Sequence, residues 1–80
     1  MSKEILFFSA PWCEPCKQIK ESLNEKIRDE INIKLIDITK DMDLATSHQI
    51  MSVPTFVVLK DGVEVSRKIG STTIENLQKM

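Results

Sequence analysis

Apolar positions repeat along the chain with two different periods, and the change of period predicts where strands and helices lie. Residues 5–8 form a continuous apolar run with β-branched and aromatic character, which predicts a strand buried on both faces. Apolar residues then recur every three or four positions between residues 15 and 29, at Cys16, Ile19, Leu23 and Ile27. This spacing predicts one amphipathic helix with Pro15 in its first turn, where the missing proline N–H breaks no hydrogen bond.

The rest of the chain is predicted to form three further strands and two further helices. Residues 33–38, 54–59 and 63–69 predict strands, and Asp61-Gly62 between the last two is a strong hairpin signal. A short helix is predicted over about residues 44–49, and a last one after Gly70, capped by Thr72 or Thr73. The order β-α-β-α-β-β-α predicts an α/β fold: a four-stranded mixed sheet with helices on both faces.

Composition narrows the class of protein further. The 80 residues are expected to form a single domain, 1–80, with one modest core. With 11 basic and 12 acidic residues, the net charge is −1, which gives no reason to expect a nucleic-acid or anionic-membrane partner. The first apolar run is too short to span a membrane and lacks a cleavage signal, so a cytoplasmic protein is expected. A monomer is expected as well.

Cys13 and Cys16 are the only cysteines, and their spacing leaves three interpretations. Residues three apart in a helical turn lie within disulfide reach, so the pair can open and close with little backbone movement. A loop this short removes little unfolded-state entropy, which argues against a structural staple. A zinc site needs about four ligands, and the only histidine, His48, is expected to face solvent on another helix.

The third interpretation is a reactive dithiol. Cys13 would lie at a helix N-terminus, where unpaired N–H groups and the helix dipole lower the pKa of a thiol. Cys16 lies one turn further on the apolar stripe and is expected to be the more buried thiol. This asymmetry predicts that Cys13 attacks a substrate disulfide and that Cys16 resolves the mixed disulfide.

Two segments resemble the thioredoxin family. "WCEPCK" (residues 12–17) is similar to the Trp-Cys-Gly-Pro-Cys-Lys of most thioredoxins, and "SVPTFVVLKDGVEVSRKIG" (52–70) resembles their segment with a cis-proline, a hairpin and a closing glycine. The resemblance implies a minimal thioredoxin fold in which Trp12 lies beside the nucleophile Cys13. It also implies a cis Pro54 that presents the Val53 backbone to Cys13, with room for substrate at Gly70.

The chain departs from the family pattern in three respects. Only four residues precede the first predicted strand, which gives the shorter outline of a glutaredoxin. Phe7 and Leu35 stand where thioredoxins carry a buried aspartate and its lysine partner, so both charges are replaced together. Glu14 replaces the glycine between the cysteines, and it is expected either to cap the helix or to oppose the Cys13 thiolate.

The resemblance implies a dithiol oxidoreductase that reduces protein disulfides without a bound cofactor, draws electrons from a thioredoxin reductase and has ribonucleotide reductase as a candidate acceptor. A glutathione-dependent glutaredoxin is the alternative enzyme, but the chain lacks the Cys-Pro-Tyr-Cys and Gly-Gly-Asp sequences usual in that family. A third alternative is an accessory binding subunit that uses the fold without chemistry.

Overall fold

The computed structural model describes residues 3–80 and is built around a four-stranded sheet. Strands β1 (Lys3–Ser9), β2 (Ile33–Asp37), β3 (Thr55–Lys60) and β4 (Val63–Ile69) lie in the order β2-β1-β3-β4. β1 runs parallel to β2 and antiparallel to β3, and β3 runs antiparallel to β4. The predicted mixed sheet is confirmed, and the strand that precedes the cysteines lies inside it.

The helix predicted over residues 15–29 is wrong as a single element. The structure has α1 (Glu14–Ser22) and α2 (Glu25–Ile31), separated by Leu23 in an extended conformation (φ −97°, ψ 93°). The Asn24 side chain then accepts a hydrogen bond from the Ile27 N–H (2.9 Å) and starts the second helix as its N-cap. The local hydrogen bond of an asparagine thus overrides a periodicity that continues across the break.

The two faces of the sheet carry separate apolar clusters. On one face, Ile5 and Phe7 of β1 pack with residues of α1 and with Leu77 of α4 (Ile74–Lys79). On the other face, Leu6 and Phe8 pack with Leu44 of α3 (Met42–Ser47). Alternate side chains of a strand point to opposite faces, so a continuous apolar run fills both clusters. Helices on both faces are confirmed.

The expectation for His48 is wrong. The residue lies at the carboxyl end of α3, and its side chain is half-buried, with the imidazole centroid 5.6 Å from that of Phe8. It closes a helix that begins two residues earlier than the predicted one, and Gln49 then turns the chain with a positive φ of 55°. His48, the C-cap of α3, therefore packs against Phe8 of the sheet rather than facing solvent.

Two local expectations are confirmed. Asp61 and Gly62 both adopt positive φ (52° and 85°), as a two-residue turn between antiparallel strands requires. Thr73, one of the two candidate caps, accepts a hydrogen bond from the Asn76 N–H (3.1 Å) at the start of α4. None of the helices in residues 3–80 has the length and apolarity that a membrane span requires.

Candidate active site

The cysteine pair lies where the central strand of the sheet passes into the first helix. After β1 the chain makes a turn in which the Cys13 N–H donates to the Ala10 carbonyl (3.1 Å). Cys13 is the N-cap of α1, and Cys16 lies in its first turn, joined to Cys13 by a disulfide with a Cα–Cα distance of 5.2 Å. Pro15 lies among the first helical positions, where no N–H is needed.

The two cysteines differ in environment, although less than the sequence suggests. Cys16 is fully buried, but Cys13, which was expected to be exposed, retains only 6% of its accessible area. Its sulfur accepts a hydrogen bond from the Cys16 N–H (3.3 Å) and belongs to the same apolar cluster as Cys16. Cys16 is the more buried cysteine, as predicted, but Cys13 is buried as well.

The chain bends at residues 52–54, next to this cluster, and this bend contains the cis-proline. The Val53–Pro54 peptide bond is cis, in agreement with the prediction, and Val53 packs against the cluster that holds both cysteines. The Thr55 hydroxyl donates to the Ser52 carbonyl (2.8 Å), and the Pro54 carbonyl accepts from the Gly70 N–H (2.9 Å). These bonds hold residues 52–55 in place on both sides of the cis bond.

Two of the predicted site residues, Trp12 and Gly70, contribute exposed apolar area and open space. Trp12, directly before Cys13, keeps 66% of its side chain accessible, which is unusual for an indole in a small domain. Gly70 adopts a positive φ of 99°, and a β-carbon at this position would meet no atom within 4 Å. The glycine therefore borders free space.

Comparison with known proteins decides the family. A thioredoxin family model matches residues 2–80, and the thioredoxin of Bacillus subtilis is 40% identical over 76 residues, which cover 91% of this chain and 73% of that protein. The chain belongs to the thioredoxin family. A Staphylococcus aureus thioredoxin is 34% identical over 80 residues, covering 96% of this chain and 77% of that one. The solved structure of Fasciola hepatica thioredoxin superposes with a TM-score of 0.83 at 29% identity, covering 96% of this chain and 76% of that one.

Family membership and the Cys13–Cys16 disulfide together make the chain a thiol-disulfide oxidoreductase. The chemistry resides in the cysteines themselves, which exchange two electrons by making and breaking one S–S bond. Thioredoxins need no cofactor for it. Residues 3–80 contain no cluster of three or more His, Cys, Asp or Glu side chains arranged to hold a metal ion.

The core beneath this thioredoxin site is apolar at the two positions where the family usually carries charges. The Phe7 ring is fully buried and stacks on the Phe56 ring with centroids 4.6 Å apart. Leu35, the register partner of Phe7 on β2, packs against the same cluster. The aromatic stack fills the volume beside β1, and among the described residues the buried polar side chains are those of Ser9 and Thr55.

One residue near the pair was missed by the sequence analysis. The Lys17 Nζ lies 3.2 Å from the Glu14 Oε1, and both side chains are largely exposed (52% and 75%). The spacing i, i+3 on a helix was the available signal. Glu14, next to Cys13 in sequence, therefore carries a paired charge, and the electrostatic effects of Glu14 and Lys17 on Cys13 must be considered together.

Proposed function

We propose that this protein reduces disulfide bonds of other proteins, with Cys13 as the attacking thiolate and Cys16 as the resolving thiol. The observation that carries the assignment is the position of Cys13 as the N-cap of α1, with its sulfur accepting an amide hydrogen bond. A helix N-terminus and an N–H donor both favour the thiolate over the thiol. Cys16 is fully buried and lies inside the first turn of α1, so it lacks the N-cap position that favours Cys13 for attack on an external disulfide.

The reaction consists of two exchanges. The Cys13 thiolate attacks one sulfur of the substrate disulfide, the first substrate cysteine leaves as a thiolate, and a mixed disulfide forms. Cys16 loses its proton and attacks the Cys13 sulfur, which releases the second substrate cysteine and closes the Cys13–Cys16 bond. The substrate gains two electrons and two protons, and this protein loses them.

The substrate is proposed to bind as an extended segment along the backbone of Val53, next to cis-Pro54, in the manner of an added strand. The exposed Trp12 indole would supply apolar contact area, and the free space at Gly70 would leave room for the substrate chain. Backbone pairing recognises any extended segment, which suits an enzyme with several protein substrates.

The proposal also covers the electron donor, the electron acceptor and the cellular location of the protein. We propose a single-domain monomer in the cytoplasm that uses no bound cofactor and receives its electrons from a thioredoxin reductase. Ribonucleotide reductase is the candidate electron acceptor, because it needs a dithiol donor. Family membership supports this arrangement over recycling by glutathione, which remains the enzymatic alternative.

The test compares two electron sources with one protein-disulfide substrate. The oxidised protein is incubated with substrate and with NADPH plus thioredoxin reductase, or with NADPH, glutathione and glutathione reductase. We expect rapid NADPH consumption only in the first mixture. Faster consumption in the second would overturn the electron source, and consumption in neither would overturn the reductase activity.

Variants separate the roles of the site residues. Cys13→Ser should abolish turnover, whereas Cys16→Ser should accumulate a mixed disulfide between Cys13 and substrate. Pro54→Ala should reduce turnover while leaving the Cys13–Cys16 bond able to form. If Cys13→Ser keeps a biological activity that depends on partner binding, the protein also acts as an accessory subunit.

A further inference from the structure

A cleft adjoins the cysteine pair on the side of the protein where α4 begins. Pro15, Gln18, Ile19 and Ser22 of α1 line one wall, and residues 71–74 line the other. Its volume is about 290 Å³, close to the lower end of the ~300–1,000 Å³ typical of small-molecule sites. We call it the hydroxyl cleft, because residues 71, 72 and 73 and Ser22 of α1 all carry hydroxyl groups.

The hydroxyl cleft continues the surface proposed above for substrate. The turn that forms its second wall follows Gly70, whose N–H is bonded to the carbonyl of cis-Pro54. Pro15, which forms part of the first wall, lies between the two cysteines in sequence. An extended chain that pairs at Val53 and passes the free space at Gly70 therefore arrives at the mouth of the cleft.

The groups available for binding in the cleft are polar and uncharged. Two of the hydroxyls are engaged, because Thr73 Oγ1 accepts from the Asn76 N–H and Ser22 Oγ donates to the Gln18 carbonyl (3.2 Å). The Gln18 side chain is exposed at the wall. No charged side chain lines the cleft in the part of the chain that the structure describes.

Among the hydroxyl groups of the cleft, that of Thr72 is buried without a hydrogen-bond partner in the described part of the chain. Its Oγ1 is shielded from solvent and makes no hydrogen bond to any of residues 3–80. A buried hydroxyl without a partner destabilises a protein, so a native site that keeps one calls for an explanation. A change of the Thr72 χ1 rotamer exchanges the hydroxyl and the methyl group, and it breaks no existing hydrogen bond. A ligand that offers a partner could therefore recruit the hydroxyl through this rotamer change without competing with an existing hydrogen bond.

We propose that the hydroxyl cleft is a specificity subsite for a carboxamide side chain, asparagine or glutamine, close to the target cysteine of the substrate. A carboxamide both donates and accepts, and so it can pair with the Thr72 hydroxyl and the Gln18 side chain together. A carboxylate or an ammonium group would lose its hydration without meeting an opposite charge. This inference rests on the proposed disulfide reductase function.

The experiment measures the preference directly, without a recycling enzyme. Alanine-based peptides with one cysteine, disulfide-bonded to thionitrobenzoate, are mixed with the reduced protein. The Cys13 thiolate attacks the peptide sulfur and releases coloured thionitrobenzoate, the better leaving group, and Cys16 then frees the peptide thiol. Glutamine, leucine or glutamate is placed in turn at each of three positions on either side of the cysteine, and the second-order rate constant is recorded.

We expect glutamine at one position to react about 2- to 12-fold faster than leucine, the gain from one neutral hydrogen bond, and glutamate to show no gain. Thr72→Val, which removes the hydroxyl and keeps the shape, should bring the glutamine rate down to the leucine rate. Thr46→Val makes the same change on an exposed residue of α3, and it should keep the preference. Urea denaturation should find Thr72→Val at least as stable as the wild type.

Other outcomes overturn the inference. Equal rates for glutamine and leucine at every position, or a preference that survives Thr72→Val, would exclude the subsite and leave the reductase function intact, because the all-alanine peptide would still react. A marked loss of stability in Thr72→Val would mean that the hydroxyl already has a partner. Failure of the wild type to react with any peptide would remove both the inference and the proposed function.

Discussion

The ion pair of Glu14 and Lys17 should set the reactivity of Cys13 through two opposed charges. The carboxylate destabilises a thiolate on the neighbouring residue, and the ammonium group, 3.2 Å from the carboxylate, stabilises it. With separations from the sulfur of about 7 Å and about 9 Å and an effective dielectric constant of about 40 for exposed groups, the two interactions are about 1.2 and about 0.9 kcal/mol.

A cycle of three variants separates these contributions. Glu14→Gln should lower the pKa of the reduced Cys13 thiol by about 0.9, and Lys17→Gln should raise it by about 0.7, since 1.36 kcal/mol corresponds to one pKa unit. The double variant should lie within about 0.2 of the wild type. All three differences should shrink in concentrated salt, because the charges are exposed. The Glu14→Gln couple should also be more oxidising, since a more stable thiolate favours the dithiol.

The assay is the pH dependence of iodoacetamide alkylation of the reduced protein, with the labelled residue identified by mass spectrometry. Glu75→Gln is the matched control, because Glu75 and Lys79 form a similar exposed pair on α4 (3.3 Å). It should leave the alkylation profile unchanged. An unchanged or raised Cys13 pKa in Glu14→Gln, or a double variant equal to Lys17→Gln, would show that Glu14 acts only as part of the helix terminus. A double variant equal to Glu14→Gln would show that Lys17 has no effect on the thiolate.

Three further outcomes are expected. Alkylation near neutral pH should label Cys13 before Cys16, and equal or reversed labelling would remove the basis for their roles. Phe7→Ala should lower the free energy of unfolding by about 3–5 kcal/mol, as for other buried aromatic residues. Val65→Ala, on the exposed side of β4, should lower it by less than about 1 kcal/mol. Similar losses for the two variants in urea denaturation would refute the importance of the Phe7–Phe56 stack. The hydrogen bond from Arg67 lowers the pKa of the Glu64 carboxyl. A carboxyl whose pKa is lower in the folded state than in the unfolded state stabilises the folded protein at pH values above the unfolded-state pKa. This stabilisation disappears as the pH falls through the folded-state pKa. The stability difference between wild type and Glu64→Gln should therefore narrow on acidification, and a constant difference would contradict it.

Much of the fold could be predicted because its signals are local. The strands follow from apolar runs, and the β3–β4 turn follows from Asp61-Gly62, whose two positive φ angles these residue types tolerate. The break between α1 and α2 could not be predicted from periodicity, since Leu23 is buried whether the helix continues or not. Asn24 was the relevant signal, but an asparagine within a helical pattern caps a new helix only where tertiary packing bends the chain.

The site was predictable to a similar degree and for different reasons. The positions of Cys13 and Cys16 follow from their spacing on a helix, whereas the cis bond at Pro54 came from resemblance, because trans is the usual state of an X–Pro bond. The burial of Cys13 depends on how the turn after β1 folds over the cluster. Gln18 and Thr72 are far apart in sequence but line the same hydroxyl cleft, and no local sequence pattern predicts that arrangement.

The arrangement of strands also affects the protein while it is being synthesised. β1 is hydrogen-bonded to β3 along one of its edges. Thr55, the first residue of β3, follows Cys16 by 39 positions. At ~5–20 residues per second, the ribosome takes about 2–8 s to add that stretch. During this interval the thiols have emerged before the sheet that will enclose them, so they are as accessible as those of an unfolded peptide. The nascent chain is therefore the stage at which an oxidant or an electrophile can reach Cys16, which the finished fold buries completely.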